Sequence, residues 1–118
     1  MADAHPLPVV FFRTGSCNEP VREWLKDLPV DERRAIGEDI MAVQFRWPIG
    51  MPLVDNVGSG LWEVRTRLPN RIARTLFFVH DGDIVLVHGF IKKTQKTPIE
   101  DKALALKRKN AYIQSSKK

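Results

Sequence analysis

Between Leu61 and Lys93 this chain places Arg65, Arg67, Arg71, Arg74, His88, Lys92 and Lys93 among runs of β-forming residues, with Lys96 just beyond. Strands need no such density of charge, so these residues are the first candidates for chemistry. Arginine clamps a phosphate through two parallel hydrogen bonds and stabilises charge that grows on it, a geometry lysine does not match. A lysine crowded by other cations gives up its proton more readily and can act as a base. A histidine such as His88 can act as an acid. Together such groups suit one reaction on RNA. The ribose 2′-OH attacks its adjacent phosphate, cations stabilise the phosphorane, and an acid protonates the departing 5′ oxygen. The competing role for His88 is that of a structural histidine near the sheet centre, and Glu63 is read as holding an arginine in place.

Other chemistries have less to offer. His5, His80, His88 and Cys17 stand far apart without metal-ligand spacing, so no metal is expected. No phosphate-binding loop, dinucleotide fingerprint or nucleophile elbow occurs, so no cofactor is expected either. Cys17 has no basic partner nearby in sequence and is read as incidental.

The elements that must carry the basic residues are three successive strands: Leu61–Leu68, Arg71–His80 and Asp83–Phe90, the last running on into Lys92-Lys93. Pro69-Asn70 separates the first pair and Asp81-Gly82 the second, and Asp-Gly between apolar runs is a strong hairpin signal. A two-residue turn after Leu68 sets Arg65 directly opposite Arg74. Like charges facing each other destabilise a sheet, so this pair implies an anion between them. Alternation puts Trp62, Val64, Thr66 and Leu68 on a core face with Ala73, Thr75, Phe77 and Val79. Glu63, Arg65, Arg67, Arg74 and Leu76 fall on the other.

The third strand has two available registers. A strict two-residue Asp81-Gly82 loop turns Val85 and Val87 toward the arginines. A bulge at Gly82 instead sets His88 opposite Arg74, with Ile84, Leu86 and Phe90 beside it. The bulge is favoured because it gathers the polar groups, with Lys92 at the rim. Leu76, Phe78 and Leu86 then need cover from the C-terminal helix.

The rest of the chain supports these strands. Leu7–Arg13 reads as a first strand. Asn18 is the expected N-cap of a helix with Pro20 in its first turn and an apolar stripe of Val21, Trp24, Leu25 and Leu28. A second helix follows from Asp31-Glu32, buries Ile36, Ile40, Val43 and Trp47, and ends at Pro48. Gly37 within it suggests close approach to the first helix. Pro48–Gly60 is read as a connection. Thr97, Pro98 and Glu100 form a capping box for a last helix with Ile99, Ala103, Leu106, Asn110 and Ile113 on one face. The expected order is β-α-α-β-β-β-α, a two-layer α+β domain with an antiparallel sheet packed on a helical hairpin.

At 118 residues and 43% hydrophobic the chain suits one domain spanning residues 1–118. It has no apolar run long enough for a membrane span. One cysteine and an N-terminus without signal-peptide character fit a cytoplasmic protein. The net charge of +5 is unevenly divided. Residues 1–60 carry six Lys/Arg and nine Asp/Glu, a net of −3; residues 61–118 carry thirteen and five, a net of +8. A basic half of this kind points to a polyanion, most often nucleic acid.

The series Leu61-Trp62-Glu63-Val64-Arg65, Arg71–Phe78 and His88-Gly89-Phe90-Ile91-Lys92-Lys93-Thr94, with Thr97-Pro98 opening the last helix, resembles HigB-like toxins of the RelE superfamily, phage-derived relatives included. The resemblance covers residues 9–113. It implies a RelE-like fold and metal-independent endoribonuclease activity on mRNA at the ribosome. It also implies a cognate helix-turn-helix antitoxin that assembles with the toxin. By position, Arg65, Arg74, Lys92 and Lys93 match the family's basic functional residues, with His88 a further catalytic candidate. Arg67, Arg71 and Lys96 are the expected RNA-binding cations. Some branches use a Tyr or His near the C-terminus; Tyr112 lies on the last helix here, so the acid and base stay unassigned. The alternatives are a non-catalytic RNA- or ribosome-binding module and a structural phage accessory protein.

Overall fold

Helices α1 (Pro20–Lys26) and α2 (Val30–Arg46) pack on one face of a five-stranded sheet, and α3 (Ile99–Ser116) packs on the other. The computed structural model describes residues 6–92 and 97–116, with Lys92 described by its backbone alone. The strands are β1 (Val9–Phe11), β2 (Val54–Gly58), β3 (Leu61–Arg67), β4 (Ile72–His80) and β5 (Asp83–Lys92), in the order β1-β5-β4-β3-β2.

The chain is α+β, as its pattern implies, but three features of the expected architecture change. The segment read as a connection contains β2, which pairs antiparallel with β3 through Val54↔Val64 and Asp55↔Glu63. Its Asp, Asn and Gly content is poor in β-formers, and the hairpin is closed by Ser59 and Gly60, both at positive φ. The sheet is mixed rather than antiparallel, because β1 runs parallel to β5 with Val9 beside Ile84 and Phe11 beside Leu86. The layers number three rather than two, since α3 lies across the sheet from α1 and α2.

The two helical faces form as their periodicity requires. Val21 of α1 and Ile36, Ile40 and Val43 of α2 are buried against Val64, Ala73, Phe77 and Leu86. Trp47 closes this core by meeting Trp62 and Phe77 edge-on, at 5.1 and 5.4 Å between ring centroids. The N-cap of α1 is Glu19, not Asn18, and the Glu23 carboxylate accepts the Glu19 N–H at 3.2 Å. Gly37 is exposed and meets no neighbouring atom, so it does not mediate close helix packing.

The α3 side is built differently from the expected stripe. Ile99 is 83% exposed, and Ala103 and Asn110 also face solvent. The contact comes from Ala105, Leu106, Tyr112 and Ile113 over Leu61, Leu76, Phe78, Val85 and Val87. Arg108 and Lys109 lie along this face with their heads directed to carbonyls, Arg108 to Val87 at 2.8 Å and Lys109 to Ser59 at 2.6 Å. Their aliphatic stems cover apolar surface that an apolar stripe would otherwise cover.

The Asp81-Gly82 turn is the strict two-residue form: His80 pairs with Asp83, and both turn residues have positive φ. Val85 and Val87 therefore face α3, while Ile84 and Leu86 face the opposite core, contrary to the favoured register. A bulge does occur, but in mid-strand, where the partners shift between Leu76↔His88 and Phe77↔Leu86. Beyond it His88 joins the arginine face opposite Leu76, not Arg74.

Candidate functional site

Backbone register sorts residues of β3, β4 and β5 into cross-strand rows. Glu63, Leu76 and His88 form the first; Arg65, Arg74 and Phe90 the second; Arg67, Ile72 and Lys92 the third. Arg65 stands directly opposite Arg74, as the turn after Leu68 requires. Moving along the sheet, acidic and histidine groups give way to cations.

The anion required between the facing arginines is internal. Glu63 is fully buried, and its Oε1 lies 3.1 Å from Arg74 Nη1 and 3.5 Å from Arg65 Nε. Arg74 is only 1% exposed, so its guanidinium is a strut of the core rather than a surface clamp. Arg65 keeps 20% of its side chain exposed and Arg67 is exposed. One carboxylate thus serves two guanidiniums. Burying such a cluster is tolerable only because each charge is paired.

The start of α3 is tied to the first row at two points. The Thr97 hydroxyl donates to Glu63 Oε2, which commits the proton of the expected capping residue to the sheet. One turn on, Asp101 Oδ1 lies 2.6 Å from His88 Nε2. The imidazole also stacks on Phe90, with 5.4 Å between centroids and 27° between planes. Sequence reasoning did not single out Asp101, which looks like an ordinary acidic residue in a helix's first turn.

Other expected site residues are placed elsewhere. Arg71 lies at the β3–β4 turn and pairs with Glu32 of α2, outside the rows. Tyr112 sits edge-on to Phe78 and His80, at 5.6 and 5.8 Å, toward the Asp81-Gly82 end of the sheet. Phe78 is four residues along β4 from Arg74, roughly 13 Å at strand rise. Burial, with Asp83 and Asp81 adding to it, pushes the Tyr112 phenol above its ordinary value. The side chain of Lys92, and Lys93 and Lys96 altogether, fall outside the described residues.

An open cleft of about 370 Å³ follows the outer stretch of β3, lined by Arg65, Thr66 and Arg67 and by Glu38 and Asp39 of α2. Those carboxylates make this cleft a poor site for an anion. Among the described residues no group of His, Cys, Asp and Glu could hold a metal ion, and no helix is long and apolar enough to cross a membrane.

A family model described as “Phage derived protein Gp49-like (DUF891)” matches residues 23–110. That stretch holds the second half of α1, all of α2, β2 to β5 and most of α3. No curated protein matches the chain.

Proposed function

The chain belongs to the phage-derived Gp49-like family, a family of RelE/HigB-like toxins, and on that premise we propose that it is the HigB-like toxin of a type II toxin–antitoxin pair that cleaves mRNA on the ribosome. The observation that carries the reading is the pair Arg65 and Arg67 toward the exposed end of β3, with Glu63 setting Arg65 at the boundary between core and solvent. Arg65 and Arg67 bind the phosphate and stabilise its growing charge. Arg74 acts behind them, holding the shared carboxylate. A lysine of the pair Lys92 and Lys93 accepts the 2′-OH proton. The new O2′–P bond forms as the P–O5′ bond breaks, and His88 gives its proton to the leaving oxygen. The products are a 2′,3′-cyclic phosphate and a 5′-OH. The antitoxin, a helix-turn-helix protein on this reading, neutralises the toxin by assembling with it.

The burial of Arg74 favours a second reading. With one of the two facing arginines committed to the core, the same surface suits a non-catalytic RNA- or ribosome-binding module. Translation in vitro with purified protein, followed by mapping of mRNA ends, separates the two. The nuclease reading expects cuts within codons during translation, abolished by Arg65→Ala and by Lys92→Ala. Ribosome binding without cuts by the parent protein establishes the module instead.

A further inference from the structure

We propose that Asp101 is a positioning residue that orients His88 for proton transfer, an inference that rests on the nuclease reading above. Its Oδ1 is 2.6 Å from His88 Nε2, and the side chains are 15% and 21% exposed for His88 and Asp101. A carboxylate accepts, so the ring proton of a neutral His88 resides on Nε2 and the lone pair on Nδ1. Nδ1 is therefore the nitrogen that exchanges protons with substrate. Stacking on Phe90 fixes the ring plane, and the tie through Asp101 fixes rotation within it. Two flanking contacts hold the arrangement: Thr97 donates to Glu63 in the same row as His88, and Arg108 donates to the Val87 carbonyl.

The neighbouring strands β3 and β4 also carry charges close to His88. Glu63 shares its row, and Arg74 lies in the next row beside Phe90. Their pairing leaves Asp101 as the carboxylate bonded to the ring among the described residues. In the cleavage step, imidazolium donates the Nδ1 proton to O5′ as the P–O5′ bond breaks. The product imidazole retains its proton on Nε2, facing Asp101, and needs no tautomer change before the next turnover. Orientation of a histidine by a carboxylate on its other nitrogen follows the same logic as in hydrolytic triads.

The test compares the parent protein with Asp101→Asn, Asp101→Glu, His88→Ala and the Asp101→Asn/His88→Ala double variant in the translation reaction. Maximal cleavage rate, half-saturating ribosome concentration and thermal midpoint are measured for each. A general acid held by its partner is worth at least about 100-fold in rate. Asp101→Asn is expected to lower the maximal rate by about that factor while half-saturation moves by less than about twofold. Asp101→Glu recovers most of the rate, and Asp101→Asn costs nothing further once His88 is alanine. Asp101→Ser serves if the asparagine variant does not fold. The proposal is overturned if Asp101→Asn cleaves at the parent rate, if its loss adds to that of His88→Ala, or if only the thermal midpoint and half-saturation change. A parent protein that does not cut mRNA overturns the nuclease reading and this inference with it. Cutting that ignores Asp101 overturns this inference alone.

Discussion

Replacing Glu63 by leucine should unfold this protein far more readily than an ordinary core substitution, because it strands a buried guanidinium. Glu63 is fully buried and Arg74 is 1% exposed, with 3.1 Å between Oε1 and Nη1. Removing one partner of a buried ion pair costs about 3–5 kcal/mol, since the survivor's charge stays in a medium that solvates it poorly. At roughly 2.1 cal/mol/K per residue, a chain of 118 residues has an unfolding entropy near 0.25 kcal/mol/K. The expected fall in Tm is therefore about 12–20 °C. Substituting both partners, Glu63→Leu with Arg74→Met, removes the stranded charge and should recover most of the loss, because apolar replacement of buried pairs is often neutral or better. Arg65, being one-fifth exposed, can turn to water in both variants. Urea and thermal unfolding followed by tryptophan fluorescence measure this directly, since Trp47 and Trp62 lie in the opposite core. If Glu63→Leu alone lies within about 1 kcal/mol of the parent, or the double variant is no more stable than the single, the buried pairing described here is refuted.

Four further substitutions test other parts of the fold. Tyr112 is the only tyrosine, so tyrosinate absorbance reports it directly. Its titration in the folded protein should fall above 10.0, and Asp83→Asn should bring it down. Because the folded state holds this proton more tightly than the unfolded chain, stability is complete below the unfolded value. It is lost as pH rises through the folded value, and Tyr112→Phe should flatten that loss. Gly37→Ala should stabilise by about 1 kcal/mol in urea unfolding, since the residue is helical and a Cβ there meets nothing within 4 Å. Gly89→Ala should destabilise by about 1–3 kcal/mol or more, because its Cβ would lie 2.2 Å from the Trp24 ring; a thermal midpoint equal to the parent's would refute that contact.

The parts of the fold legible in the sequence are those governed by local periodicity. The stripes of α1 and α2 and the turn after Leu68, with its Arg65–Arg74 register, follow from spacing alone. Strand β2 was illegible because it is held by its partner rather than by its own β-propensity. The position of the bulge is the more instructive case. Had the two-residue turn set the register of all of β5, His88 would lie opposite Thr75 on the face of α1 and α2, and Gly89 opposite Arg74. The shift at Leu76/Phe77 exchanges them. Gly89 then offers Trp24 a surface without a Cβ, and His88 reaches Asp101. Nothing near Val87 announces the irregularity, and the contacts that accompany it come from residues distant in sequence, a tryptophan on α1 and a carboxylate on α3. The same reasoning explains why the charge of the candidate site was legible while its wiring was not. Composition shows how many cations a strand carries, but which of them faces solvent depends on where the buried Glu63 carboxylate sits. In this protein Glu63 draws Arg74 inward and leaves Arg65 at the boundary, so two arginines matched by register are separated in role by a single side chain.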